Sequence, residues 1–148
     1  MDYTPEQEVY NDTIQEKDGF YVTVNLVDIQ PQTAANYGMF FIARYPCEIM
    51  RVAEVHGTAA TNAGAVTLDV EKLVGTTAKG AGISVLATTF SLKSTANTVV
   101  NKEGMKLSNA RQLKENERLA LKSTGVLTDL KDVQVTLYFK FLGRGEYK

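Results

Sequence analysis

The sequence predicts an all-β protein: an antiparallel β-sandwich, jelly-roll-like, preceded by a polar N-terminal arm. Three observations predict it. Short apolar stretches alternate with turn residues at roughly 10–15-residue spacing. Residues 133–141 alternate cleanly, with Val133, Val135, Leu137, Phe139 and Phe141 on one side and Gln134, Thr136, Tyr138 and Lys140 on the other. No stretch shows the sustained helical periodicity that would cover a parallel sheet.

The chain has 148 residues, enough for one core, and a net charge of −1 with no basic stripe, so nucleic acid is not an expected partner. No run of about 18 apolar residues is present, so no membrane-spanning helix is expected. Residues 1–18 (MDYTPEQEVYNDTIQEKD) have neither the basic start nor the apolar middle of a signal peptide. The single Cys47 excludes an internal disulfide and multi-cysteine metal sites, and a free cysteine fits synthesis in a reducing cytoplasm.

Taken in order, residues 1–18 form the arm, with Val9, Tyr10 and Ile14 as its apolar residues. The remainder, 19–148, is expected to be the sandwich domain. Phe20 to Ile29 is a strand with Phe20, Val22, Val24 and Leu26 on one face. Met39 to Ile42 is apolar on both sides, which predicts burial on two faces, within the domain or against another subunit. Arg44-Tyr45-Pro46 turns the chain, since Pro46 cannot donate to a ladder.

Residues 47–73 are the centre of the reading, two strands joined as a hairpin by the small-residue link 57–64. The first of them carries apolar side chains on both sides: Ile49, Ala53 and Val55 on one, Met50 and Val52 on the other. Either both faces are covered or a bulge flips the register. The second points Val66, Leu68 and Val70 inward. Residues 74–82 form a loop, and 88–93 a strand with a turn of helix before it. A short strand follows at 97–100, then a polar loop to Gln112 and a tight turn at 113–116. Residues 117–123 form a strand with Leu119 and Leu121 inside, and 132–142 the last one.

No residue pattern specifies catalysis. His56 stands alone and reads as structural, bonded to a turn or at a subunit interface, because a triad or metal site needs partners at bonding distance. Cys47 reads as a small buried hydrophobe. Asp69 and Glu71 share a strand face about 7 Å apart, a spacing that serves a hydrolytic pair only beside a deep pocket. Residues 75–82 (GTTAKGAG) fail the phosphate-loop pattern, since Ala81 and Gly82 stand where Lys and Ser or Thr are required. No cofactor or metal is expected.

The phrases YGMFFIARYPCEIMRVAEVHGTAATNAGAVTLDVEKLVGTTAKGAG, TTFSLKSTANTVV and RQLKENERLALKSTGVLTDLKDVQVTLYFK, within residues 37–142, carry a resemblance. The chain resembles small jelly-roll virion proteins of tailed bacteriophages, of the capsid-decoration or head-fibre type. The resemblance implies a non-enzymatic homotrimer on a virion surface. Its partners would be other copies of itself and the major capsid protein or another virion protein. It also implies an N-terminal capsid anchor, here Val9, Tyr10 and Ile14. The apolar surplus of Met39, Phe40, Phe41, Ile42, Met50 and Val52, with His56, is then the expected oligomer interface. The alternative is a carbohydrate- or receptor-binding module of a phage fibre, contacting a cell-surface glycan through Tyr138 and residues 58–62; Tyr45 and Tyr37 are further aromatic platforms.

Overall fold

In the computed structural model, residues 19–26, 37–103 and 108–143 are described. The expected arm, and with it Val9, Tyr10 and Ile14, lies outside them. The described chain forms ten strands and one helical turn: β1 Gly19–Leu26, β2 Met39–Ile42, β3 Cys47–Thr58, β4 Thr67–Leu73, β5 Ile83–Ser84, β6 Phe90–Ser91, β7 Val100–Lys102, α1 Ser108–Arg111, β8 Gln112–Leu113, β9 Arg118–Thr124 and β10 Lys131–Phe141.

All described pairings are antiparallel. One sheet runs β1-β10-β3-β7, with β8 also on β3; the other runs β2-β9-β4-β5, with β6 also on β4. The apolar faces meet in one core, with Ile49, Val52, Val135, Leu137 and Phe139 from the first sheet against Leu68, Val70, Leu119 and Leu121 from the second. The expected all-β antiparallel sandwich is the observed architecture.

The alternation of β10 sets the register of both its long neighbours, as its pattern predicts. Val133, Val135, Leu137 and Phe139 are fully buried, but Phe141 is 40% exposed, because the sandwich ends there.

The two-sided apolar pattern of β3 is resolved by a bulge. Tyr138 pairs Arg51 and Phe139 pairs Ile49, so Met50 is the extra residue. Ile49 and Val52 therefore both point inward, while Met50 and Arg51 face out. A second register shift, between Met39 and Phe41 opposite Ala120 and Leu119, makes Phe40 the extra residue of β2. It turns Met39 and Ile42 to solvent. The expected burial of β2 on both faces does not hold within the protomer.

The expected central hairpin is not one. β3 and β4 belong to different sheets, and residues 59–66 carry the chain across the sandwich. Ala60 N–H donates to Leu92 O and Thr61 N–H to Thr128 O, which pins the crossing. The turn after β9 faces the same crossing. Gly125 has φ +99°, and a Cβ there would stand 2.2 Å from Ala65 O, so glycine is required.

The expected strand at 88–93 shrinks to the two residues of β6, and the expected turn of helix before it is replaced by β5 and bends. The strand placed at 97–100 begins instead at Val100, since Asn97 takes φ +59° and its N–H bonds His56 O in a turn. Short paired segments thus close one edge of each sheet, a common protection against edge-to-edge pairing. The opposite edges are β1 and β2, and among the described residues nothing pairs with their outer sides.

Candidate functional site

The β1 and β2 edges lie over one another, and aromatic rings join them from core to surface. Phe139, fully buried, stacks on Phe20 at 4.7 Å and on Phe41 at 4.8 Å. Phe20 packs on Phe141 at 5.1 Å, and Phe141 meets Tyr45 edge-on at 6.4 Å. Between them runs a groove of about 220 Å³ lined by Phe20, Phe41, Arg44, Tyr45 and Phe141. It continues into a broad depression of about 710 Å³ over Met39, Phe40, Phe41 and Ile42, flanked by Arg44 and Arg118.

Met39 is 58% and Ile42 57% exposed. Together with Phe40 and Phe41 they form a contiguous apolar strip rather than scattered surface residues. Arg118 is fixed in place: Nη2 donates to Gly75 O at 2.7 Å and Thr77 O at 3.0 Å, and Nη1 lies 3.1 Å from Met39 Sδ. The 74–82 loop thereby holds one cation beside the apolar strip. Arg44 is exposed and has no carboxylate partner among the described residues.

The sequence-expected interface residues divide. Met39, Phe40, Phe41 and Ile42 are brought together at this edge. Met50 is partly exposed on the outer face of the other sheet. Val52 and His56 are fully buried inside one protomer and have no surface to offer a second copy, which corrects their placement at an interface. The bulge at Met50 turns Val52 inward, and the same phase carries Glu54 and His56 in after it.

His56 is held as a structural residue. Its Nδ1 lies 2.8 Å from Glu54 Oε2, and its Nε2 donates to Ser94 O at 2.9 Å. Burial pushes the Glu54 carboxyl above its usual pKa, a rise that the bond and charge of His56 oppose. Glu54 Oε1 and the nearby Tyr37 hydroxyl are buried with no partner among the described residues. Burial, with the charge of Glu54, pushes the Tyr37 phenol up to about 12.

Cys47 sits in the core as expected, and burial pushes its thiol up to about 12. Asp69 Oδ1 accepts from Ser84 Oγ at 2.7 Å and from Val70 N–H at 2.8 Å. Glu71 is buried and accepts from Gly80 N–H. Both carboxylates tie β4 to the chain that follows it. Among the described residues no three His, Cys, Asp or Glu side chains converge as metal ligands would. No described helix is long and apolar enough to cross a membrane.

On the outer face of the β1-β10-β3 sheet, Tyr21 and Tyr138 pair across strands with ring centroids 4.8 Å apart, and Tyr21 is 58% exposed. Sequence reasoning singled out Tyr138 without its partner. It also missed Phe20, Arg44, Phe141 and Arg118 as members of the edge site. No local pattern joins residues so far apart in the chain. The Glu54–His56 pair was open to it, since residues i and i+2 of a strand share a face.

No family model matches the chain, and no curated protein matches it. Among solved structures, a chain from "Cyanophage Pam1 capsid asymmetric unit" is similar over 84% of this chain and 87% of that one, at 16% identity with a TM-score of 0.49.

Proposed function

We propose that this chain is a non-enzymatic structural protein of a tailed-phage virion, standing on the particle surface as a self-associating module, a homotrimer. The observation that carries the self-association is the β2 edge: Met39 and Ile42 exposed above Phe40 and Phe41, between two arginines. A second copy covering that strip removes apolar area from water at about 25 cal/mol per Å². The virion assignment is supported by the phrases at residues 37–142 that resemble decoration and head-fibre proteins. It is also supported by the winding, in which successive strands β1 to β4 alternate between sheets as in a jelly roll. His56, Cys47, Asp69 and Glu71 are each engaged in structural bonds or core packing, which supports a binding rather than a catalytic role.

Light scattering on the full chain is expected to give three times the chain mass. Met39→Asp with Ile42→Asp is expected to give the single-chain mass with unchanged circular dichroism, because both side chains already face water in the protomer. A native chain that runs alone at working concentration overturns the self-association. Mass spectrometry of particles purified from the phage that carries this gene is expected to find the chain in stoichiometric amount. Its absence overturns the virion role.

The Tyr21–Tyr138 pair favours a second reading, a glycan-binding module, since exposed rings are platforms for sugar faces. On a glycan array, a signal lost in Tyr21→Ala with Tyr138→Ala would establish it; a blank array removes it.

A further inference from the structure

The arginine-flanked aromatic groove at the β1–β2 edge fits a segment of this same protein. We propose that residues 1–18 of a neighbouring copy occupy it. The proposal rests on the self-association reading and names the segment that makes the contact.

Charge and chemistry match first. The groove is lined by Phe20, Phe41, Tyr45 and Phe141 beside Arg44, and the depression over β2 that it opens into is flanked by Arg44 and Arg118. Residues 1–18 carry Asp2, Glu6, Glu8, Asp12, Glu16 and Asp18 against Lys17 alone, with Val9, Tyr10 and Ile14 set among them. An acidic segment spotted with apolar side chains complements an apolar strip bordered by cations. Carboxylates pair with guanidinium groups, and Tyr10 adds a ring to an aromatic row.

Position matches next. The segment joins the fold at Gly19, and the next residue, Phe20, lines the groove. Donor end and acceptor groove therefore lie side by side on every copy. Eighteen residues span up to roughly 60 Å when extended, which reaches a groove on an adjacent copy.

Symmetry matches last. An arm laid in a neighbour's groove joins two different patches, a head-to-tail contact, and such contacts close into rings such as a trimer. The same segment folded back on its own copy would fill the groove and leave no shared surface there. The proposal takes Val9, Tyr10 and Ile14, which the resemblance assigns to a capsid anchor, into the assembly itself.

The test is a disulfide between copies. Full-length Ile14→Cys and full-length Ile42→Cys are purified separately, mixed, equilibrated under reducing conditions and then oxidised. The native Cys47 is buried and stays silent. The mixture is expected to give a linked species of twice the chain mass that neither variant gives alone. In parallel, full-length Val9→Asp with Ile14→Asp is expected to run at single-chain mass with unchanged circular dichroism, and to melt below the native assembly because it loses the stabilisation that association adds.

A native trimer with no mixed crosslink, or a trimer that survives Val9→Asp with Ile14→Asp, overturns the arm proposal and leaves the self-association standing. A chain carrying both Ile14→Cys and Ile42→Cys that closes on itself, with no gain in mass, shows docking within one copy and also overturns it. A native chain of single-chain mass overturns both.

Discussion

Phe139→Ala is expected to lower the unfolding free energy by about 3–5 kcal/mol, the range for removing a buried aromatic ring from a packed core. Phe139 is fully buried and stacks on Phe20 from its own sheet and on Phe41 from the other. One ring thus binds the two sheets at the end where the sandwich opens. Each aromatic pair adds about 0.5–1.5 kcal/mol beyond area burial. Native domains have only about 5–15 kcal/mol to lose, so the variant sits close to its unfolding threshold. Phe139→Leu keeps part of the volume and is expected to lose less. Urea midpoints at constant slope are the measurement. A loss below about 1 kcal/mol for Phe139→Ala would mean that the sheets are held elsewhere.

The second large effect belongs to the buried Glu54–His56 pair, and it depends on pH. Nε2 must carry a proton to donate to Ser94 O, and a further proton must lie between Nδ1 and Glu54 Oε2. Loss of the shared proton leaves a negative charge in the core beside Tyr37. The Glu54 pKa is raised in the folded state by burial, so the native state binds more protons than the unfolded one above the ordinary carboxylate range. Stability is accordingly full below the unfolded pKa and falls as pH rises through the folded one.

Glu54→Gln keeps both bonds without a titrating proton, since its amide donates to Nδ1 of the neutral ring. It is expected to flatten the alkaline fall. His56→Leu leaves the carboxylate buried alone and is expected to cost about 3–5 kcal/mol at neutral pH, and less in acid where Glu54 is protonated. Urea unfolding at mildly acidic and mildly alkaline pH separates these cases. An identical pH slope in the native chain and Glu54→Gln would remove the pair as its source.

What the sequence made legible follows from the range of each interaction. The alternation of β10 and of residues 66–70 is local, so their inward faces could be read directly. A bulge somewhere in β3 was one of two readings of an apolar pattern with the wrong period, and pairing decided for it and put it at Met50. The 57–64 link looked like a hairpin because a small-residue loop between two strands does not reveal which sheet each strand joins. Only the partners of β3 and β4, far off in sequence, separate them. Val52 and His56 were misplaced for the same reason: one extra residue reverses every side chain after it. Of the groove only Phe41 was named from the sequence as an interface residue, because Phe20, Phe41 and Phe141 meet only after both sheets have formed.

The strand pairs β1·β10 and β2·β9 join the earliest described strands to the latest. A growing polypeptide on a ribosome cannot pair β2 until β9 has been synthesised, or β1 until β10 has, so β1 waits longest with its apolar face unsheltered. Contacts of such long sequence separation form slowly. Rapid production of many copies sets this waiting strand beside others like it. Cooler, slower expression should therefore raise the soluble yield more than any change to the finished surface.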